Sequence, residues 1–147
     1  MRVFIDTNLW VYRLDKREPD KSRRIGKWLR RIASEHEIVV STQVLIELRA
    51  VLTRKFTPPL TARDTRLALD ALAAFEVVTT DASLVLDAHE LAVAERLAWF
   101  DALIAEAAIR NRCTTLFSED FSHGRKIGEL RICNPLHSTG GSICVVT

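Results

Sequence analysis

Val3-Phe4-Ile5-Asp6-Thr7-Asn8 is the stretch from which the fold can be read. Three apolar residues run without a polar break into a carboxylate. A strand that is apolar on both faces of its pleat is covered on both faces, the pattern of a parallel sheet between helical layers. Short runs of the same kind recur at Ile38–Val40, Val77–Thr79, Thr114–Phe117 and Leu130–Cys133. Helical periodicity fills the gaps. Pro19 opens a segment in which Ile25, Trp28, Leu29 and Ile32 form one apolar stripe. Ser41 or Thr42 caps a helix carrying Val44, Leu45, Leu48, Val51 and Leu52, and Pro58-Pro59 closes that unit. Thr61-x-x-Asp64 is a capping-box start for a helix to about Phe75. Asp81 caps another, and a last helix begins near Asp101. Strands alternating with helices predict an α/β domain with a parallel sheet.

The chain has 147 residues, one domain's worth, with 48% hydrophobic and 27% charged residues. That composition excludes disorder, low-complexity and collagen-like chains. A net charge of +2 does not by itself announce a nucleic-acid binder. No apolar run is long enough for a membrane helix, and Asp6 interrupts what would be the core of an export signal, so a cytoplasmic protein is expected. Cys113, Cys133 and Cys144 are odd in number and lack C-x-x-C spacing, so reduced thiols are expected rather than a disulfide or zinc site. The tail 138–147 reads as flexible or as an added edge strand.

The acids gain meaning from their places on this skeleton. Asp6 ends the first strand, and Glu119 and Asp120 follow the Thr114–Phe117 strand. Open α/β sheets bind ligands beyond the carboxyl ends of their strands. Glu47 borders the apolar stripe beside Val44 and Val51, and Asp101 borders Ile104 and Ala108, so both can face a cleft. Singly, each acid reads as a solvated side chain or a helix cap. Together, four converging carboxylates repel one another unless a cation joins them, and oxygen donors suit Mg²⁺ or Mn²⁺.

These residues resemble a family. Val3-Phe4-Ile5-Asp6-Thr7-Asn8 is similar to the opening of a PIN domain. Ser41-Thr42-Gln43-Val44-Leu45-Ile46-Glu47 looks like its second acidic motif, and Trp99-Phe100-Asp101-Ala102-Leu103-Ile104 like its third. Ser118-Glu119-Asp120-Phe121, then Gly124 and Asn134-Pro135, resembles its C-terminal block. The match runs in order over about residues 2–136, and the layout looks like the VapC-type toxins of bacterial toxin–antitoxin pairs. The resemblance implies a three-layer α/β/α domain over residues 1–137 with a central, mainly parallel five-stranded sheet. It implies a ribonuclease using Mg²⁺, for which Mn²⁺ can substitute, held by Asp6, Glu47, Asp101 and Asp120. Thr7, Asn8 and Ser118 would be polar supports. Glu119 stands beside Asp120 as the other candidate fourth acid, and position in the motif favours Asp120. A homodimer and a small antitoxin are implied as well. Exposed apolar residues near Pro19–Ile32 and Leu45–Phe56 are the candidate antitoxin groove.

Eight basic residues between Lys16 and Arg31 read either as a solvated helix face or as a phosphate-tracking surface. Arg13, His123, Arg125 and Lys126 are candidate RNA contacts. Trp10 and Tyr12 could stack an unpaired base or pack in the core. The alternatives are a housekeeping RNA-processing nuclease of the same family and a non-catalytic PIN-like binding module. A phosphatase of the haloacid dehalogenase kind needs D-x-D after the first strand, where Asp6-Thr7-Asn8 has one acid.

Overall fold

The computed structural model describes residues 1–137. The expected 138–147 tail lies outside them. Six strands and six helices alternate: β1 (Arg2–Ile5), α1 (Thr7–Leu14), α2 (Pro19–Glu35), β2 (Glu37–Ser41), α3 (Thr42–Arg54), α4 (Ala62–Ala73), β3 (Glu76–Val78), α5 (Ala82–Glu95), α6 (Trp99–Arg110), β4 (Thr115–Phe117), β5 (Lys126–Ile127) and β6 (Leu130–Cys133).

The sheet order is β3-β2-β1-β4-β6-β5. The first five strands in that order are parallel, and β5 pairs antiparallel with β6. The five-stranded expectation therefore holds for the parallel body, and β5 is a sixth strand at the edge. It is made by a tight hairpin, with Ile127 opposite Leu130 and Gly128 at φ +59. That left-handed backbone suits glycine.

Right-handed crossovers decide the layers. The steps β1 to β2 and β2 to β3 move in one direction, so α1–α4 lie on one face. The return from β3 to β4 passes over β2 and β1 and puts α5 and α6 on the other. Phe4, Ile5, Val39, Val40, Leu116 and Ile132 are fully buried between these layers. Trp28 of α2 meets the Phe117 ring edge-on at 4.9 Å. Trp10 is buried against Phe75, and its indole N–H donates to the Ile5 carbonyl at 3.2 Å, so it is a core residue and not a base-stacking platform.

Helix α1 was not expected from the sequence. The Trp10-Val11-Tyr12 run favours a strand by propensity, and packing on α2 and α3 overrides it. The expectation of three reduced thiols is also corrected. Cys113 is free and buried, and burial pushes its thiol up to about 12, but Cys133 at the end of β6 is disulfide-bonded. Counting and spacing test local cysteine motifs, whereas pairing depends on where the fold delivers each sulfur. No helix among the described residues is long and apolar enough to cross a membrane.

Candidate active site at the carboxyl rim of the sheet

Asp6 leaves β1 and becomes the N-cap of α1. Its Oδ1 accepts from the Thr7 backbone N–H at 2.7 Å, and its Oδ2 accepts from the Ser118 hydroxyl at 2.7 Å. Only 3% of it is exposed. Burial pushes its carboxyl up to about 7. The two hydrogen bonds pull the other way, and the negative charges of Asp120 and Glu47 push it further up.

Ser118 follows β4, and its hydroxyl oxygen also accepts from the Asp120 backbone N–H at 3.0 Å. One buried serine thus connects the acid of β1 to the acid after β4. Glu47 comes from α3, whose N-cap is the buried Ser41. Its Oε1 accepts from the Thr7 hydroxyl at 3.2 Å and from the Gln43 amide at 3.3 Å. Asp101 enters from the opposite helical layer, in the first turn of α6. Burial raises both Glu47 and Asp101. The charge of Asp120 raises each further, and Asp101 adds to the effect on Glu47.

Asp120 therefore acts electrostatically on Asp6, Glu47 and Asp101 alike. Glu119 is turned elsewhere and accepts a hydrogen bond from the Tyr12 hydroxyl. The Tyr12 ring carries Lys21 Nζ over its face at 3.6 Å. Tyr12 is raised well above the ordinary range by partial burial and by Glu119.

Among the described residues, no three His, Cys, Asp or Glu side chains stand as a group able to hold a metal ion. The fit of this rim to Mg²⁺ or Mn²⁺ rests on its donor set. Four carboxylates supply oxygen donors, and burial and neighbouring negative charge raise three of them above their ordinary values, a conflict that a cation would relieve.

The segment carrying all four acids coincides with a family match. The PIN domain family model covers residues 3–126. The chain belongs to the PIN domain family. Two solved PIN-like structures share its fold. VapBC2 from Rickettsia felis, bound to a DNA fragment from its promoter, matches with TM-score 0.63 and 23% identity over 90% of this chain and 97% of that one. VapC20 from Mycobacterium tuberculosis, described as a sarcin–ricin loop cleaving toxin, matches with TM-score 0.57 and 22% identity over 88% and 98%. No curated protein matches the chain.

Within this PIN domain the remaining predicted residues divide. The side-chain amide atoms of Asn8 are buried without a hydrogen-bond partner. Arg13 lies in the last turn of α1, donating to the hydroxyl of Ser22 on α2 at 3.1 Å. Arg125 is engaged by the backbone carbonyl and carboxylate of Glu95. His123 accepts from the Asn134 N–H at 3.0 Å and stacks on His137 at 4.4 Å. Lys126 is exposed on β5. Gln43 is the residue that sequence reasoning passed over. Its amide donates to Glu47 and, at 3.2 Å, to the Phe100 carbonyl next to Asp101. It is 8% exposed, and its Oε1 is unpartnered. The available signal was its place one turn before Glu47 on the same helix face.

Proposed function

We propose that this PIN domain is an endoribonuclease that hydrolyses RNA phosphodiester bonds with a carboxylate-held Mg²⁺ or Mn²⁺, and that it is the toxin of a toxin–antitoxin pair. The observation that carries the proposal is the convergence of Asp6, Glu47, Asp101 and Asp120 on one rim, where burial and mutual charge hold Asp6, Glu47 and Asp101 above their ordinary range. Asp6, Glu47, Asp101 and Asp120 would hold the divalent ion, which when bound would supply Lewis acidity and lower the pKa of a water for attack on phosphorus. The chain's own part is orientation. Ser118 and the Thr7 N–H fix both oxygens of Asp6, and Thr7 and Gln43 fix Glu47. Asp120 is the fourth acid in this reading, because Glu119 is committed to Tyr12.

The toxin half of the proposal is supported by likeness to the VapBC2 and VapC20 structures. An antitoxin helix would seat its apolar stripe between α3 and α4. A groove of about 640 Å³ runs there past Leu45, Ile46 and Leu69, with Ile46 70% exposed. The candidate stretch Pro19–Ile32 drops out of that groove, since Ile25, Trp28, Leu29 and Ile32 are all buried in the core. An arginine of the antitoxin would pair with the acidic rim. A homodimer remains part of the proposal, with Leu86 and Val93 exposed on α5 as apolar surface for it.

The test is to map RNA 5′ ends in cells after brief induction of the parent and of Asp6→Asn. New ends carrying 5′-phosphate should accumulate only with the parent. Identical maps would contradict the ribonuclease reading.

A further inference from the structure

A second charged feature lies away from the acidic rim, where the last turn of α1 meets α2. Arg13, Lys16, Pro19, Ser22, Arg23 and Arg30 line an open pocket of about 240 Å³. All four cations are exposed, while Ser22 beneath them is buried. No carboxylate lines it. Lys16 and Arg30 make no ion pair among the described residues, and Arg23 has only an exposed pair with Asp20. Its neighbour Arg17 is spoken for by both oxygens of Asp15.

The position of Arg13 is built, not incidental. Its guanidinium donates to the Ser22 hydroxyl, and Ser22 donates back to the Arg13 carbonyl. Gly26 makes room for it: a Cβ there would stand 2.6 Å from Arg13 Nε, closer than such atoms approach. A glycine inside a helix is a weak helix former, so its place under the guanidinium matters more than its propensity.

We infer that this α1–α2 pocket binds backbone phosphate of the RNA that crosses the acidic rim. The inference rests on the ribonuclease reading. Four cations around a small space repel one another until an anion joins them. The pocket offers no aromatic or broad apolar wall to hold a base or an organic body, so it suits a phosphate belonging to a polymer that continues beyond it. Asp6 caps the same short helix whose last turn carries Arg13, and seven residues of helix span roughly 10 Å. One strand can therefore reach both places.

The experiment measures binding of a fluorescein-labelled single-stranded RNA to the full-length chain by anisotropy, in excess chelator, over a salt series. Lys16→Ala and Arg30→Ala should each weaken binding by roughly three- to ten-fold near 100 mM salt, and each should lower the slope of log K against log salt by about 0.7. Gly26→Ala is the sharper test, because it displaces Arg13 and leaves every charge in place. It should weaken binding several-fold with a melting temperature no lower than the parent's. Arg63→Ala, an exposed cation on α4, is the control for net charge. Equal losses for Arg63→Ala and the pocket variants would overturn the inference, as would RNA binding that ignores Gly26→Ala. Losses seen on duplex DNA but not on RNA would reassign the pocket. If the chain neither binds nor cleaves RNA, the ribonuclease reading falls with it; if it cleaves RNA and the pocket variants bind normally, only the pocket is wrong.

Discussion

Asp6 is a carboxylate whose burial opposes its own ionisation. Its folded value near 7 lies above the 3.8 of the unfolded chain, so the folded state holds more protons between those limits. Its contribution to stability is fully present below the unfolded value and is lost as pH rises through about 7. In chelator the parent should therefore lose melting temperature between pH 5 and 8, by an energy on the order of a few kcal/mol at most. Asp6→Asn should flatten that dependence and melt no lower than the parent at pH 8, while losing cleavage by several orders of magnitude. A mutant several degrees less stable at pH 8 would make Asp6 a structural cap instead. Gln43 carries a different prediction. Gln43→Leu removes the donor shared by Glu47 and the Phe100 carbonyl. It should raise the Mn²⁺ concentration for half-maximal cleavage by about ten-fold, a loss of charge-assisted hydrogen bonding on the order of 1.5 kcal/mol. The KM for RNA should barely change. A shift in KM alone would place Gln43 in substrate contact. Asp6 and Asp120 could be read from the sequence because each directly follows or nearly follows an apolar run. For Gln43 only the pairing with Glu47, one turn on, leaves a local signal; its second partner, the Phe100 carbonyl, lies on α6 in the other helical layer.

Helix caps separate stability from chemistry at the level of elements. Ser41 caps α3, which carries Gln43 and Glu47, and Thr61 caps α4, which carries no rim acid. Ser41→Ala and Thr61→Ala should each cost about 1 kcal/mol in denaturant unfolding. Only Ser41→Ala should also lower cleavage. Equal activity in the two would mean that the start of α3 does not position Glu47. Most elements were legible because their signals are local. The capping box at Thr61, the cap at Asp81 and the apolar runs of β1, β2, β4 and β6 all declare themselves within a few residues. The two elements that escaped depend on distant partners or on brevity. Helix α1 is a strand-favouring sequence held helical by its neighbours. Strand β5 has two residues and exists by pairing with β6, although Gly128-Glu129 between Ile127 and Leu130 is a hairpin signal in hindsight.

Metal should be felt by the whole molecule as well as by its chemistry. A ligand that binds only the folded state stabilises it by mass action. Mn²⁺ added to the chelator-treated parent should raise its melting temperature in a dose-dependent way. Asp101→Asn and Asp120→Asn should blunt that rise, and Glu119→Gln should keep it. A midpoint indifferent to Mn²⁺ would remove the metal from the proposal while leaving the fold untouched. The layered architecture was readable from the alternation of elements, whereas the mutual influence of the acids was not, since it depends on side-chain rotamers just beyond two strands, β1 and β4, and on two helices, α3 and α6.

The strand order also has a bearing on timing during synthesis. The central strand β1 is flanked by β2, which follows it soon in the chain, and by β4, which is made only after both helices of the opposite layer. Asp6 emerges from the ribosome early, but Ser118 and Asp120 come long after it. A growing chain can pair β1 with β2 and still lack half of its rim. The nascent product therefore cannot assemble its four-acid rim until translation has passed Asp120, beyond β4, however early the first half of the sheet has formed.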